Sequence, residues 1–115
     1  MDNMRKIESE MLAAVRSRRD WSKDNTSVSN TDHGVVVRLH GHKIAILNDE
    51  HNKLVITDAG WQTVTTKSRL NALLGEFCFG SRIYAKNFEW FLSNKYDDKK
   101  PISIDYQQAY PVELG

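Results

Sequence analysis

Between residues 34 and 57 the chain reads GVVVRLHGHKIAILNDEHNKLVIT, a series of β-branched, apolar runs broken by turn signals. The runs at residues 35–39, 44–47 and 54–57 favour extended backbone, where branched side chains pack well on a pleated surface. His40-Gly41 sits where a tight turn places a glycine at positive φ, and residues 48–52 supply the second turn. The pattern predicts an antiparallel meander. Val35, Val37 and Leu39 fall on one face, with Val36 and Arg38 on the other. Ala59-Gly60 forms a corner, and residues 61–64 are expected as another short strand.

From about Thr66 the period changes. Leu70, Leu73, Leu74 and Phe77 recur at helical spacing and predict one main helix over residues 66–79. Thr65 or Thr66 is expected as its N-cap; Gly75 weakens its interior, and Gly80 stops it. SRIYAKNFEWFLSN, residues 81–94, reads as one long or broken strand. Its alternation sets Phe88, Trp90 and Leu92 against Glu89 and Phe91.

At the other end, Met4, Ile7, Met11, Ala14 and Val15 predict a helix over residues 3–18, with Arg16, Arg18 and Arg19 favouring its C-terminal end. This stripe suits either the domain's own sheet or a homodimer contact. Glu8 and Glu10 interrupt its positive face and argue against a membrane-surface helix. The expected fold class is α+β, a small antiparallel sheet of four to five strands packed against one main helix, with an additional N-terminal helix. Along the chain this divides into an N-terminal helix (1–19), a linker or arm (20–33), a core (34–92) and a C-terminal tail (93–115). The arm holds a single large apolar residue, Trp21, and offers an edge strand at 26–31; the tail offers another at 102–106.

A length of 115 residues fits one domain with one modest core. Sixteen Lys and Arg against fifteen Asp and Glu leave a net charge of +1, too little for a general polyanion-binding coat. Cys78 is the only cysteine, which removes an internal disulfide and cysteine-held zinc; between Phe77 and Phe79 it reads as a buried, inert thiol. No apolar run reaches membrane-spanning length, and the first residues lack a secretory apolar stretch, so a cytosolic protein is expected.

GWQTVTTKSRLNALLGEF, residues 60–77, holds the strongest site candidate. A helix N-terminus presents free N–H groups and partial positive charge, which acidic side chains normally answer. Here the first turn offers Thr65, Thr66, Lys67, Ser68 and Arg69 and no carboxylate. Residues 60–87 carry Lys67, Arg69, Arg82 and Lys86 against Glu76 alone. An anion or acidic surface fits that start, as does simple threonine capping; the glycine-rich run of a Walker A loop is missing. Trp61 is expected to close an edge of the core or anchor a partner. His33, His40, His42 and His51 lack the spacing of a metal site, and no metal or other cofactor is expected. An enzymatic reading would assemble a small metal-independent nuclease from His40, His42, Asp58 and Arg69, but Asp58 fits equally well as a turn acceptor.

TDAGWQTVTTKSRLNALL (57–74), preceded by VVVRLHGHKIAIL (35–47), resembles a family of small tailed-bacteriophage proteins with a Gly-Trp…Thr-Thr…Arg-Leu-Asn motif. The matching positions are Leu39, His40, Gly41, Ile44, Ala45, Gly60, Trp61, Thr63, Thr65, Thr66, Arg69, Leu70 and Asn71. YAKNFEWFL (84–92) resembles the aromatic strand that follows in such proteins, so the likeness spans about residues 34–92. It implies phage origin and an accessory role in the host bacterial cytoplasm. The expected function is non-catalytic binding of a host or phage macromolecule, an acidic protein surface ahead of nucleic acid. The expected binding face is Thr66, Lys67, Arg69, Asn71, Arg82 and Trp61.

Overall fold

The structure, a computed structural model, describes residues 5–97 and 99–115. In chain order its elements are α1 (Lys6–Arg16), β1 (Trp21–Lys23), β2 (Thr26–Thr31), β3 (Gly34–Leu39), β4 (His42–Asn48) and β5 (Lys53–Ile56). They continue with α2 (Val64–Phe77), β6 (Ser81–Lys86), β7 (Glu89–Asn94), β8 (Ile102–Ile104) and β9 (Tyr110–Glu113).

The meander forms as β3-β4-β5, and His40 and Gly41 take φ of 51° and 81°, the left-handed pair that a two-residue hairpin turn uses. Between Val37 and Arg38 the register with β4 shifts, which inserts Ile44 as an extra residue; Ile44 and Ala45 are both buried as a result. The inward row Val28, Val37, Ala45, Ile56 and Tyr110 then runs across five strands in register.

The expected single sheet of four to five strands on one main helix is corrected to two antiparallel sheets. One has six strands in the order β1-β2-β3-β4-β5-β9, and the other has three in the order β6-β7-β8. Both helices pack against them. The polar segment 20–33 forms β1 and β2 because only alternate positions need be apolar: Trp21, Thr26 and Val28 face inward while Ser22, Ser27 and Ser29 take the other face. Residues 81–94 are two strands rather than one because Asn87 and Phe88, at φ 53° and 66°, fold the segment into a hairpin. In the tail, β8 joins β7, while β9 closes the far edge of the larger sheet against β5. There Lys53 hydrogen-bonds its cross-strand partner Glu113 and holds that carboxyl below its ordinary pKa.

α2 lies between the two sheets, in contact with β4 and β5 on one side and β6 on the other. Two-sided burial explains why Ala72, Arg69 and Thr66 are enclosed along with Leu70, Leu73 and Leu74. α1 packs on β1, β2 and α2, and Met11, Leu12, Ala14 and Val15 are lost to solvent in that contact. The stripe proposed for a homodimer is therefore covered by the chain itself. Met4, its expected first member, lies outside the described residues. Cys78 is buried, and burial pushes its thiol up to about 11, far from the thiolate that would react.

Candidate binding surface around the start of helix α2

The first turn of α2 is closed from within. Thr63, two or three residues earlier than expected, is the N-cap: its hydroxyl accepts from the Thr66 N–H at 3.1 Å and lies 3.0 Å from the Thr66 hydroxyl. Thr66 is buried, so it serves the cap and the core.

Arg69 faces inward as well. Its Nη1 donates to Glu8 Oε2 at 2.6 Å, its Nε to the Thr26 hydroxyl at 3.1 Å, and its Nη2 to Asn25 Oδ1 at 3.4 Å. Ser68 donates to the same Glu8 oxygen at 2.6 Å. Both members of the ion pair have side chains 4% exposed. One guanidinium thus ties α2 to α1 and to the β1–β2 hairpin, and it presents no charge to a partner.

Asn71 reaches the free edge of β6. Its amide donates to the Ile83 carbonyl at 2.9 Å and its oxygen accepts from the Ile83 N–H at 2.7 Å, the two bonds that a further strand would make there. Asn71→Leu is expected to cost about 1–3 kcal/mol by leaving both Ile83 groups unmet. Denaturant titration, with amide exchange at Ile83 as the local readout, checks this.

Asp58 is buried beneath the Ala59-Gly60 corner. Oδ1 accepts from the N–H groups of Gly60 at 2.7 Å and Gln107 at 2.8 Å, and Oδ2 from the Gln62 amide at 3.0 Å. Gln62 also donates to the Ile104 carbonyl at 3.1 Å. Asp58 therefore latches the loop before α2 to the β8–β9 connection. Two of the four groups required by the nuclease reading, Asp58 and Arg69, are engaged in these structural contacts. Among the described residues no group of three or more His, Cys, Asp or Glu side chains is arranged to hold a metal ion.

Trp61, Lys67 and Arg82 remain accessible. Trp61 is half exposed, with its ring 4.4 Å from that of His42, and borders a cleft of about 410 Å³ with His40, Ile44 and Thr65. Lys67 lies in a second cleft of about 410 Å³, walled by Val64, Phe88, Trp90 and Tyr106. Arg82 lines neither cleft and lies over the Tyr84 ring, 5.2 Å from its centre.

Sequence reasoning missed Val64, Phe88 and Tyr106. Val64 is 71% exposed, Tyr106 64%, and Phe88 completely so. The sequence carried no signal for Phe88, because Asn-Phe stands where a hairpin tip usually holds Asn-Gly.

No helix among the described residues is long and apolar enough to cross a membrane. No curated protein and no solved structure gives a significant match to the chain. The family match extends beyond the 34–92 resemblance to take in α1 and β9, covering residues 4–113, and by that coverage the chain belongs to the tailed-bacteriophage family described as Kyanoviridae Gp96 protein.

Proposed function

We propose that this phage protein is a non-catalytic binding protein that engages an acidic protein surface through the cleft between the start of α2 and the tip of the β6–β7 hairpin. Phe88 is the observation that carries the reading. A bulky side chain at φ 66° sits in a backbone region that costs a non-glycine residue about 1 kcal/mol, and here nothing is buried in return. Val64 and Tyr106 add exposed apolar area at the same cleft, and Lys67 supplies charge beside a helix start that has no carboxylate of its own. Aromatic anchors beside one cation are the usual core of a protein interface. Trp61 borders the other cleft, across the helix start, and stands apart from this surface.

Phe88→Gly separates folding from binding. The exchange creates the Asn-Gly pair that such a turn favours, so unfolding free energy is expected to rise by about 0.5–1 kcal/mol. Lysate of infected host cells, treated with nuclease and passed over immobilised protein, is expected to leave a stoichiometric protein on the wild type. That protein should be lost with Phe88→Gly and weakened with Lys67→Glu. Identical retention by all three, or none by the wild type, removes the reading.

A further inference from the structure

On the opposite face of the β6–β7–β8 sheet, we infer a second binding surface, one that takes single-stranded RNA. The hairpin alternates strictly. Ile83 and Leu92 face the core and Ala85 and Trp90 lie toward the cleft, while their neighbours Arg82, Tyr84, Phe91 and Ser93 take the other face. Tyr84 and Phe91 are direct cross-strand partners, stacked with ring centres 5.6 Å apart and half-buried. The exposed guanidinium of Arg82 sits over Tyr84, while Lys86, two residues beyond Tyr84, stands across from the carboxylate of its strand partner Glu89 at the hairpin tip.

The same arrangement recurs at the far end of the hairpin. Phe79 and Tyr96, each more than 60% exposed, stack at 5.4 Å, and the Lys95 ammonium lies 5.7 Å and 5.0 Å from their centres. Lys95 donates its N–H to the Gly80 carbonyl and so extends the pairing of β6 with β7 by one step. The hairpin thus carries one half-buried aromatic pair with a cation at its middle, and a second, exposed pair with a cation just beyond its open end, where Phe79 precedes β6 and Tyr96 follows β7.

The chemistry selects the occupant. Exposed π-faces stack unpaired bases whatever their identity, and cations beside the rings neutralise the phosphates that link those bases. A duplex keeps its base faces to itself. An acidic protein would meet the cations but leave the rings without stacking partners. Ser93, next along β7, and Ser103, the β8 partner of Phe91, set hydroxyls beside the central pair, where a ribose 2′-hydroxyl can exchange hydrogen bonds. This surface is independent of the cleft proposed above for protein, since the two use different side chains on opposite faces.

Fluorescence anisotropy of the full chain with a labelled oligouridine of about 15 nucleotides, in about 50 mM salt, tests it. The wild type is expected to bind saturably, and Phe91→Leu, which keeps apolar bulk but removes the π-face, to bind about tenfold more weakly. Arg82→Glu should lose at least as much, while Lys43→Glu, the same charge change on the larger sheet, stays within about twofold. Arg82 and Lys43 are exposed, so neither exchange threatens the fold. With two phosphates neutralised, log K should fall with log salt at a slope of about −1.4. Absence of binding, equal binding of a duplex, or an unchanged affinity for Phe91→Leu overturns the stacking surface. Equal affinity for oligodeoxythymidine overturns its assignment to RNA.

Discussion

Glu8→Ala is expected to lower the unfolding free energy by about 3–5 kcal/mol, because it strands the Arg69 guanidinium in the interior. The pair is almost fully enclosed, and Glu8 Oε2 is the acceptor for both Arg69 and Ser68. Losing it leaves the cation with only the neutral oxygens of Thr26 and Asn25. A neighbouring apolar exchange of the same size would cost only its cavity. The decisive comparison is the double exchange Glu8→Leu with Arg69→Met, which removes both charges and keeps the volume. It is expected to recover most of the loss, since a buried ion pair often contributes little beyond a packed apolar pair. Urea titrations of the two single variants and the double close the cycle. A Glu8→Ala cost below about 1 kcal/mol would mean that water reaches Arg69. Arg69→Lys is expected to resemble the destabilised variants, because one ammonium cannot meet Glu8, Thr26 and Asn25 in the geometry of a planar fork.

Asp58→Ala is expected to cost about 2–3 kcal/mol, and the damage should be local in a telling way. The carboxylate accepts from Gly60, Gln107 and Gln62, so its removal frees the β8–β9 connection from the loop before α2. Amide exchange at Gly60 and Gln107 should accelerate well before exchange in the β3–β4 ladder. Gly60 also lets the Gln107 side chain pack close, since a Cβ there would stand 3.1 Å from its side-chain amide nitrogen, and its φ of 90° suits glycine. If Asp58→Ala matched wild-type stability, the latch would be an ornament of the turn.

Much of the fold was legible where one periodicity ruled. The β3–β5 runs alternate, and the leucines of α2 recur at helical spacing. It was less legible where polar side chains hold structural places. The β1–β2 hairpin needs only Trp21, Thr26 and Val28 facing inward, so its composition resembles a linker. The β6–β7 turn carries Asn-Phe, which announces no hairpin.

The motif around Arg69 misled for a related reason. Arg69 precedes Leu73 by four residues, and Glu8 precedes Met11 and Leu12 by three and four, so both charges lie on inward stripes. Opposite charges on two buried stripes are the trace of an internal ion pair. A single helix read alone shows only a cation at its start. Asn71 is similar: an amide on a helix that faces a strand edge replaces a hydrogen-bonding neighbour, and the edge is visible only once the second sheet exists. Of the expected face, Lys67, Trp61 and Arg82 remain accessible, in separate surroundings, while Val64, Phe88 and Tyr106 enter through tertiary structure.

The most direct test of the proposed protein-docking role is site-specific photo-crosslinking in infected cells, with a photoreactive phenylalanine analogue placed at position 88 and, separately, at position 43. The account predicts one discrete protein adduct from position 88 that resists nuclease, and no such adduct from position 43. Adducts of the same pattern from both positions, or none from position 88, would contradict it.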